Sequence, residues 1–523
     1  MLTCRAGERV IVYCITGNPE VDMLSSILES DIELVAKNAD QVDYFIIGSG
    51  TAGVTAGLEL AAAGFNVVII EAGPFITANH IGTSPFRSQS EIVPKIHSLV
   101  KYDTSWVQEE CYGCRETTPL VPNNTAWSLV GGRTVFWGGC APRFNKEDFA
   151  DWPFSYEEFE PYYRQAESLM HVSGSSPDRP HFISSEWQDA AMARLNKAGF
   201  SAVHAPVGVD TERVANGHIS FGFDSSVARL LRSKSLVQFG EKQGLSLVAN
   251  TAVTSLEAAG DTISKLHLLN LQSKKQYEIK PKNVILACGG VQSTRLVLAS
   301  GIEQDSDVVG KYISDHLFVQ GLMRLREPIG VPLYILLKAT EKLPYQVQIQ
   351  GAFEADWYSP YHSTVWLDYQ KDGTNVLFYC FGVGSVEKKN RVALLDEGEC
   401  ARGGASKYCV IYDHSKEDKQ LIQRMIDGMP AVAEALNADV VRVKENPPGS
   451  ALHEIGGLRM GTDPATSITD PDGRFWRYKN LYCHDSSTWR YQGAANPYLT
   501  ITACSLRLAR KLIEAKQPSL ARS

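Results

Sequence analysis

The sequence predicts a mixed α/β chain in which a parallel-sheet domain, assembled from separated stretches, carries an inserted domain built on an antiparallel sheet. Three observations predict it. An apolar run ending in glycine ("VDYFIIG"), a helix-forming stretch ("TAGVTAGLELAAAG") and a second apolar run ("NVVIIEAG") follow one another within residues 42–73, the layout of a βαβ unit. Another apolar run ending in paired glycines, "NVILACGG" from Asn283, again leads into a helical stretch. Between these pieces and a C-terminal helix lies a β-rich middle, about 318–440, with alternating and aromatic patterns such as "YQVQIQGAFEADWYS" and "TNVLFYCFGVGS".

In chain order, residues 1–40 read as an N-terminal extension with a short amphipathic helix in "SSILESDIELVAKNAD". The βαβ unit then carries "GSGTAG", which sets Gly48, Gly50 and Gly53 in G-x-G-x-x-G spacing between strand and helix. Gly48 permits the tight turn, Gly50 lets the backbone approach a pyrophosphate, and Gly53 lets the helix pack close to the strand. Amides of the helix's first turn, at Thr51 and Ala52, supply donors and the positive dipole end for phosphate. Glu71 ends the second strand 18 residues past Gly53, ahead of Ala72, where an acid accepts hydrogen bonds from an adenosine ribose. The pattern predicts a dinucleotide site of Rossmann-like type and leaves FAD and NAD open. Farther on, "WPFSYEEFEPYYRQAESLM" reads as a loop entering an aromatic-rich helix. Residues 245–290 switch to a period of two, with turns at Gly260-Asp261 and Ser273-Lys274. "NPYLTITACSLRLARKLIEA" begins at Asn496-Pro497 and continues as a helix.

Composition narrows the function classes. A net charge of −8 argues against nucleic acid or an anionic membrane as the main partner, since both favour a basic surface. No apolar run is long enough to span a bilayer. The first twenty residues carry charges inside each apolar stretch, so no secretory signal is predicted and a cytoplasmic location is expected. Eleven cysteines scattered over 523 residues fit reduced thiols better than a disulfide framework. Cys111 and Cys114 have C-x-x-C spacing without a second pair or matching histidines, and read as two loop thiols rather than a metal site.

Three further segments carry the chemistry: "VGGRTVFWGG" (130–139), "SALHEIGGLRMGTDP" (450–464) and "NLYCHDSSTWRYQGAANPYLTITA" (480–503). With them, the chain resembles the glucose–methanol–choline (GMC) oxidoreductases, flavoenzymes that oxidise alcohols. The resemblance runs through the N-terminal glycine motif, "VGGRTVFWGG", "ILACGGVQSTRLVLASGI", "VGKYISDHL" and the C-terminal block. That block is most similar to pyranose oxidases and related bacterial sugar oxidases.

The resemblance implies a discontinuous FAD-binding domain (41–160, 226–317 and 446–523) and a substrate-binding domain (161–225 and 318–445). It assigns His453 as catalytic base and Asn496 as its partner, both also facing substrate. It places Asp485 near the flavin's ribityl or pyrophosphate region, and Val253 where backbone contacts adenine. Pro497 and Tyr498 follow Asn496 in the cofactor-binding set. It sets Gly132, Arg133, Trp137, Gly138 and Gly139 beside the isoalloxazine ring, where glycines allow close backbone approach. Some relatives carry a flavin-linked histidine where this chain has Phe136, so non-covalent FAD is expected. Gln348 and Phe353 match positions on the strand and loop that cover substrate. His316 and His484 read as structural, and Arg133 reads equally as a partner for a phosphate or an acidic substrate group and as an exposed loop arginine.

The chemistry is coherent on its own terms. Hydride leaves an alcohol carbon more readily as the hydroxyl proton departs, which calls for a base such as histidine. The expected reaction oxidises a CH–OH group of a sugar, glycoside, cyclitol or aminosugar, with oxygen or another acceptor reoxidising the flavin. A lyase that retains FAD on the same scaffold and a non-catalytic flavin-binding protein are the alternatives.

Overall fold

A computed structural model describes residues 30–75, 110–112, 121–123, 128–135, 137–209, 223–351, 373–394 and 408–516. Phe136, Phe353, Cys114 and residues 1–29 lie outside this set. The chain runs through α1 (Ile32–Lys37), β1 (Tyr44–Ile47), α2 (Thr51–Ala62), β2 (Val67–Ile70), β3 (Glu110–Tyr112), β4 (Val121–Asn123), α3 (Tyr156–Leu169), α4 (Glu186–Lys197), β5 (Ala202–His204) and α5 (Ser226–Arg232). There follow β6 (Leu245–Val248), β7 (Thr251–Ala259), β8 (Thr262–Asn270), β9 (Gln276–Ile279), β10 (Val284–Leu286), α6 (Gly290–Ser300), β11 (Leu317–Leu325), β12 (Leu333–Leu337), β13 (Tyr345–Gly351) and β14 (Asn375–Gly382). The last elements are β15 (Arg391–Leu394), β16 (Tyr408–Ile411), α7 (Lys416–Leu436), β17 (Ala438–Glu445), β18 (Leu481–Cys483) and α8 (Tyr498–Lys516).

The apolar runs build a five-stranded parallel sheet in the order β18-β10-β1-β2-β6. A strand's side chains alternate between faces, so each run feeds two layers. Tyr44, Ile46, Val67, Ile69, Leu245 and Leu247 pack against α2 and against Leu508, Ala509 and Leu512 of α8. Phe45, Ile47, Val68, Ile70, Val284 and Leu286 face the other way, onto α1 and the antiparallel sheet β7-β8-β9. Burial on both faces explains why these strands lack polar alternation.

A six-stranded antiparallel sheet, β17-β11-β14-β13-β12-β5, forms the second body. Its inner face (Val319, Val347, Ile349, Phe378 and Cys380) packs on α4 and α7. The α7 helix corrects the sequence reading, which saw only the patterns of an antiparallel sheet over about 318–440. It spans 21 residues, and Ser415 and Asp418 close a capping box at its start. Ile422, Met425, Met429, Val432 and Leu436 recur at helical spacing and are buried.

Cys111 also departs from expectation, lying in strand β3 opposite Pro122 of β4 rather than in a loop. No helix among the described residues is long and apolar enough to cross a membrane.

Candidate active site

Strand β1 delivers the first glycine turn. Gly48 has φ +104°, and a Cβ there would stand 2.5 Å from the Ala287 carbonyl oxygen at the end of β10. A Cβ on Gly53 would overlap the Gly48 carbonyl. Gly50, the residue before α2, has no side-chain cap, and a Cβ on it would meet nothing within 4 Å. The first-turn amides of α2, at Thr51 and Ala52, thus open onto space at a positive helix end. That suits the charge of a diphosphate, so the residues fit a dinucleotide.

The second glycine cluster lies directly against the first. The Gly131 amide donates to Ser49 Oγ at 3.0 Å, and a Cβ on Gly132 would come 3.4 Å from Gly50 Cα. Ser49 in turn donates to Glu71 Oε2 through its backbone N–H (3.0 Å) and its hydroxyl (2.7 Å). The Gly73 amide donates to Glu71 Oε1 at 2.9 Å. Burial pushes the Glu71 carboxyl above its ordinary range, and these donors oppose the shift. Thr251 N–H donates to the Glu71 carbonyl at 2.9 Å, which brings the start of β7, and buried Val253 within it, beside Glu71 and Ala72.

Three further segments meet at the start of α8. Thr51 and Thr502 hydroxyls are 2.8 Å apart, joining the first residue of α2 to the N-terminal part of α8. The Tyr498 hydroxyl donates to buried Asp224 at 3.0 Å, and the Trp137 ring stands edge-on to Tyr498 with centroids 4.2 Å apart. Asn496 and Pro497 lead into this helix end. Gly139, at φ +79°, would press a Cβ 2.6 Å from the Phe223 ring.

Asp485, at the end of β18, binds protein donors with both oxygens. Oδ2 accepts from the Gly289 amide (2.9 Å) and the Ser293 hydroxyl (2.6 Å). Oδ1 accepts from the Ser487 amide (2.9 Å) and hydroxyl (2.5 Å). The carboxylate therefore shapes the Gly289-Gly290 turn and the short 3-10 turn Ser486–Thr488. Arg133 is likewise engaged: its guanidinium forks onto both carboxylate oxygens of Glu454 and donates to the Leu452 carbonyl at 3.1 Å.

His453 follows Leu452, which holds φ +62°, a strained backbone for a branched residue. Its backbone N–H donates to Asp315 Oδ1 at 2.9 Å, and the His316 N–H donates to the same oxygen at 2.8 Å. His453 Nδ1 lies 2.8 Å from His316 Nδ1, and His316 Nε2 lies 2.6 Å from the Gly493 carbonyl oxygen. Burial, then His316, then Arg133 hold the His453 imidazole well below its ordinary proton affinity. Burial lowers His316 to about 4. Burial and neighbouring Glu454 push the Asp315 carboxyl upward.

The six-stranded sheet turns a polar wall toward this region. Gln346, Gln348 and Gln350 occupy alternate positions of β13, all buried. Asn496 Oδ1 accepts from Gln346 Nε2 at 2.8 Å and from Gln348 Nε2 at 2.5 Å. The Tyr334 hydroxyl lies between Gln348 Oε1 (3.2 Å) and the Gly138 carbonyl (3.3 Å), linking the wall to the glycine-rich segment. Phe381, the cross-strand partner of Gln346, packs 5.1 Å from the His453 ring. His453 and Asn496 thus meet adjacent positions of one wall.

Sequence reasoning left His316 and Gln346 outside the site. For Gln346 a signal existed, because a strand with glutamine at every second position has one polar face. His484, read as structural, is fully buried, and neither ring nitrogen has a partner among the described residues.

A family model described as GMC oxidoreductase matches residues 42–318, and a second of the same description matches 404–505. The chain belongs to the GMC oxidoreductase family, and it is an oxidoreductase acting on alcohol groups. It is 24% identical to 2-methyl-1,2-propanediol dehydrogenase of Mycolicibacterium austroafricanum, over 90% of this chain and 95% of that protein. It is 26% identical to 6'''-hydroxyparomomycin C oxidase of Streptomyces lividus, over 91% and 92% respectively. Pyranose 2-oxidases are among the more distant relatives. The fold superposes on a formate oxidase of Aspergillus oryzae RIB40 with a TM-score of 0.66 and 15% identity, covering 92% of this chain and 99% of that one.

Proposed function

We propose that the protein binds FAD non-covalently and oxidises a CH–OH group of a sugar, glycoside, cyclitol or aminosugar to a carbonyl. The observation that carries this reading is that His453 and Asn496 meet adjacent positions of one wall, the imidazole against Phe381 and the carboxamide with its oxygen already occupied by two glutamine N–H donors. With Oδ1 so engaged, Asn496 is left to offer its Nδ2 hydrogens, which suit an alcohol oxygen gaining negative charge. His453, held neutral by its surroundings, is in the form that takes the hydroxyl proton.

The first-turn amides of α2 and the turn at Gly131-Gly132 would hold the cofactor's diphosphate, with Glu71 and Val253 toward the adenosine side. Trp137, Gly138, Gly139 and the start of α8 at Pro497-Tyr498 would line its ring. When bound, FAD supplies the hydride acceptor. Phenylalanine at 136 has no nucleophilic nitrogen, which supports non-covalent retention.

The test is anaerobic mixing of the purified yellow protein with panels of sugars, glycosides, polyols and aminosugars, read at about 450 nm. Bleaching by a member of the panel is expected, with a His453→Ala variant slowed about 10²–10⁴-fold. Unchanged colour together with cleavage of a hydroxynitrile would instead identify a lyase. Acid precipitation is expected to leave the flavin in solution; flavin in the pellet would refute non-covalent binding.

A further inference from the structure

We propose that His316 is a positioning residue that fixes His453 as its Nδ1–H tautomer, leaving the lone pair on Nε2 to receive the substrate's hydroxyl proton. The inference rests on the reading of His453 as the base and adds which nitrogen acts and what sets it.

The argument starts from a group with no choice. The Gly493 carbonyl has no proton to give, so at 2.6 Å His316 Nε2 must be the donor. A neutral imidazole carries one N–H, so His316 Nδ1 is then an acceptor. His453 Nδ1, 2.8 Å away, can complete that contact only by donating. Its own single proton is thereby placed on Nδ1. His453 Nε2 has no partner among the described residues, and it is left as a bare acceptor.

Neutrality of His316 is what gives the chain its direction. A cationic His316 would donate from both nitrogens and force His453 to accept at Nδ1, so that its proton would block Nε2. Burial keeps His316 from that state at neutral pH. The two rings are also fixed at their backbones, because one oxygen of Asp315 accepts both N–H groups. Among the described residues, the charged and titratable groups around His453 are Arg133, Glu454, Asp315 and His316, and Arg133 and Glu454 are paired with each other. On this account the substrate O–H bond breaks as an Nε2–H bond forms. The electron pair stays on oxygen, and His453 becomes an imidazolium whose Nδ1–H still points at His316.

The direct test is a long-range proton–nitrogen correlation spectrum of the FAD-loaded protein labelled with nitrogen-15 histidine. His453→Gln and His316→Gln variants assign the two rings. Expected at neutral pH are Nδ1–H with bare Nε2 for His453 and the reverse for His316. An Nε2–H signal for His453, or a signal averaged over both tautomers, overturns the proposal. The spectrum decides this whether or not any alcohol reduces the flavin, so failure of the base reading and failure of this one remain separate.

Kinetics supply the second arm. His316→Phe removes the acceptor, and flavin reduction at saturating alcohol is expected to slow about 10²-fold, with substrate affinity within about threefold of wild type. Glutamine at 316 has the same fixed polarity, with a carbonyl to meet His453 and an N–H to meet Gly493. His316→Gln is expected to recover the rate to within about tenfold of wild type. A Phe variant that reduces as fast as wild type, or a flavin-loaded Gln variant as slow as the Phe variant, overturns the proposal.

Discussion

Replacing Asp485 by asparagine tests whether one carboxylate holds together the two turns at the cofactor end of the parallel sheet. The side chain is almost fully buried. The amide oxygen of an asparagine can keep the Oδ1 role toward Ser487. Its NH₂ group must then stand where Oδ2 accepts from the Gly289 amide and the Ser293 hydroxyl. The serine can rotate; the backbone N–H cannot, and it is left facing another donor. Hydrogen bonds to a charged acceptor contribute about 1.5–3 kcal/mol each, and an orphaned buried donor costs about 1–3 kcal/mol. We therefore expect a loss of about 4 kcal/mol. Unfolding entropy of about 2.1 cal/mol/K per residue, over a chain of this length, converts that to a fall in apparent Tm of about 4 °C at fixed scan rate. Calorimetry on the FAD-loaded and FAD-stripped proteins gives the measurement. Ser293→Ala deletes one donor to Asp485 and also leaves the Cys288 amide, which donates to the Ser293 hydroxyl at 3.0 Å, without its acceptor, so it should cost about 2–3 kcal/mol. FAD content after gel filtration should fall in Asp485→Asn, because Gly289 and Ser486–Thr488 lie at the ends of β10 and β18 beside the Gly48 turn. Tm within about 1 °C of wild type and full FAD retention would refute the anchoring role.

Other perturbations follow from the same contacts. Arg229→Leu leaves Asp224 buried without the partner that meets both its oxygens; a loss of about 3–5 kcal/mol is expected in urea titration, and Arg229→Lys should not restore it, because a lysine cannot also reach Thr51 and Thr55 as the fork does. The His453 imidazole is held well below its ordinary proton affinity, so the anaerobic flavin-reduction rate should hold level as pH falls through about 6.5; a decline with a midpoint at or above that value would contradict it. His316 titrates at about 4 in the fold and at about 6.5 when unfolded, so below the latter value the unfolded chain takes the proton first. Stability is then lost as pH falls from about 6.5 toward 4, by about 3 kcal/mol from this group, and His316→Gln should flatten that slope in urea titrations at the two ends of the window.

The parts of the molecule legible in sequence are those in which residue type alone decides the geometry. A Cβ at Gly48 or Gly53 collides with named backbone atoms wherever this turn is built, so the glycine spacing announces the βαβ unit and the phosphate end of its helix. The α7 helix was equally local, with Ser415, Asp418 and a run of apolar residues at helical spacing, but strands on either side drew the whole stretch into a sheet. His453 and Asn496 are proposed on resemblance to a family, since nothing in the spacing of a histidine and an asparagine implies that they share a wall. His316 was out of reach for a stronger reason. Its role depends on the direction of two hydrogen bonds, one to a ring 137 residues away and one to the backbone carbonyl of Gly493, and hydrogen-bond direction leaves no periodicity or composition in a chain. The same holds for Asn496, ahead of α8, whose amide is turned by Gln346 and Gln348 of β13. Family resemblance nominates the candidate groups, but the hydrogen-bond polarity they carry is set by neighbours that only the fold brings near. A substitution at His316 should therefore leave substrate affinity nearly intact while slowing proton removal.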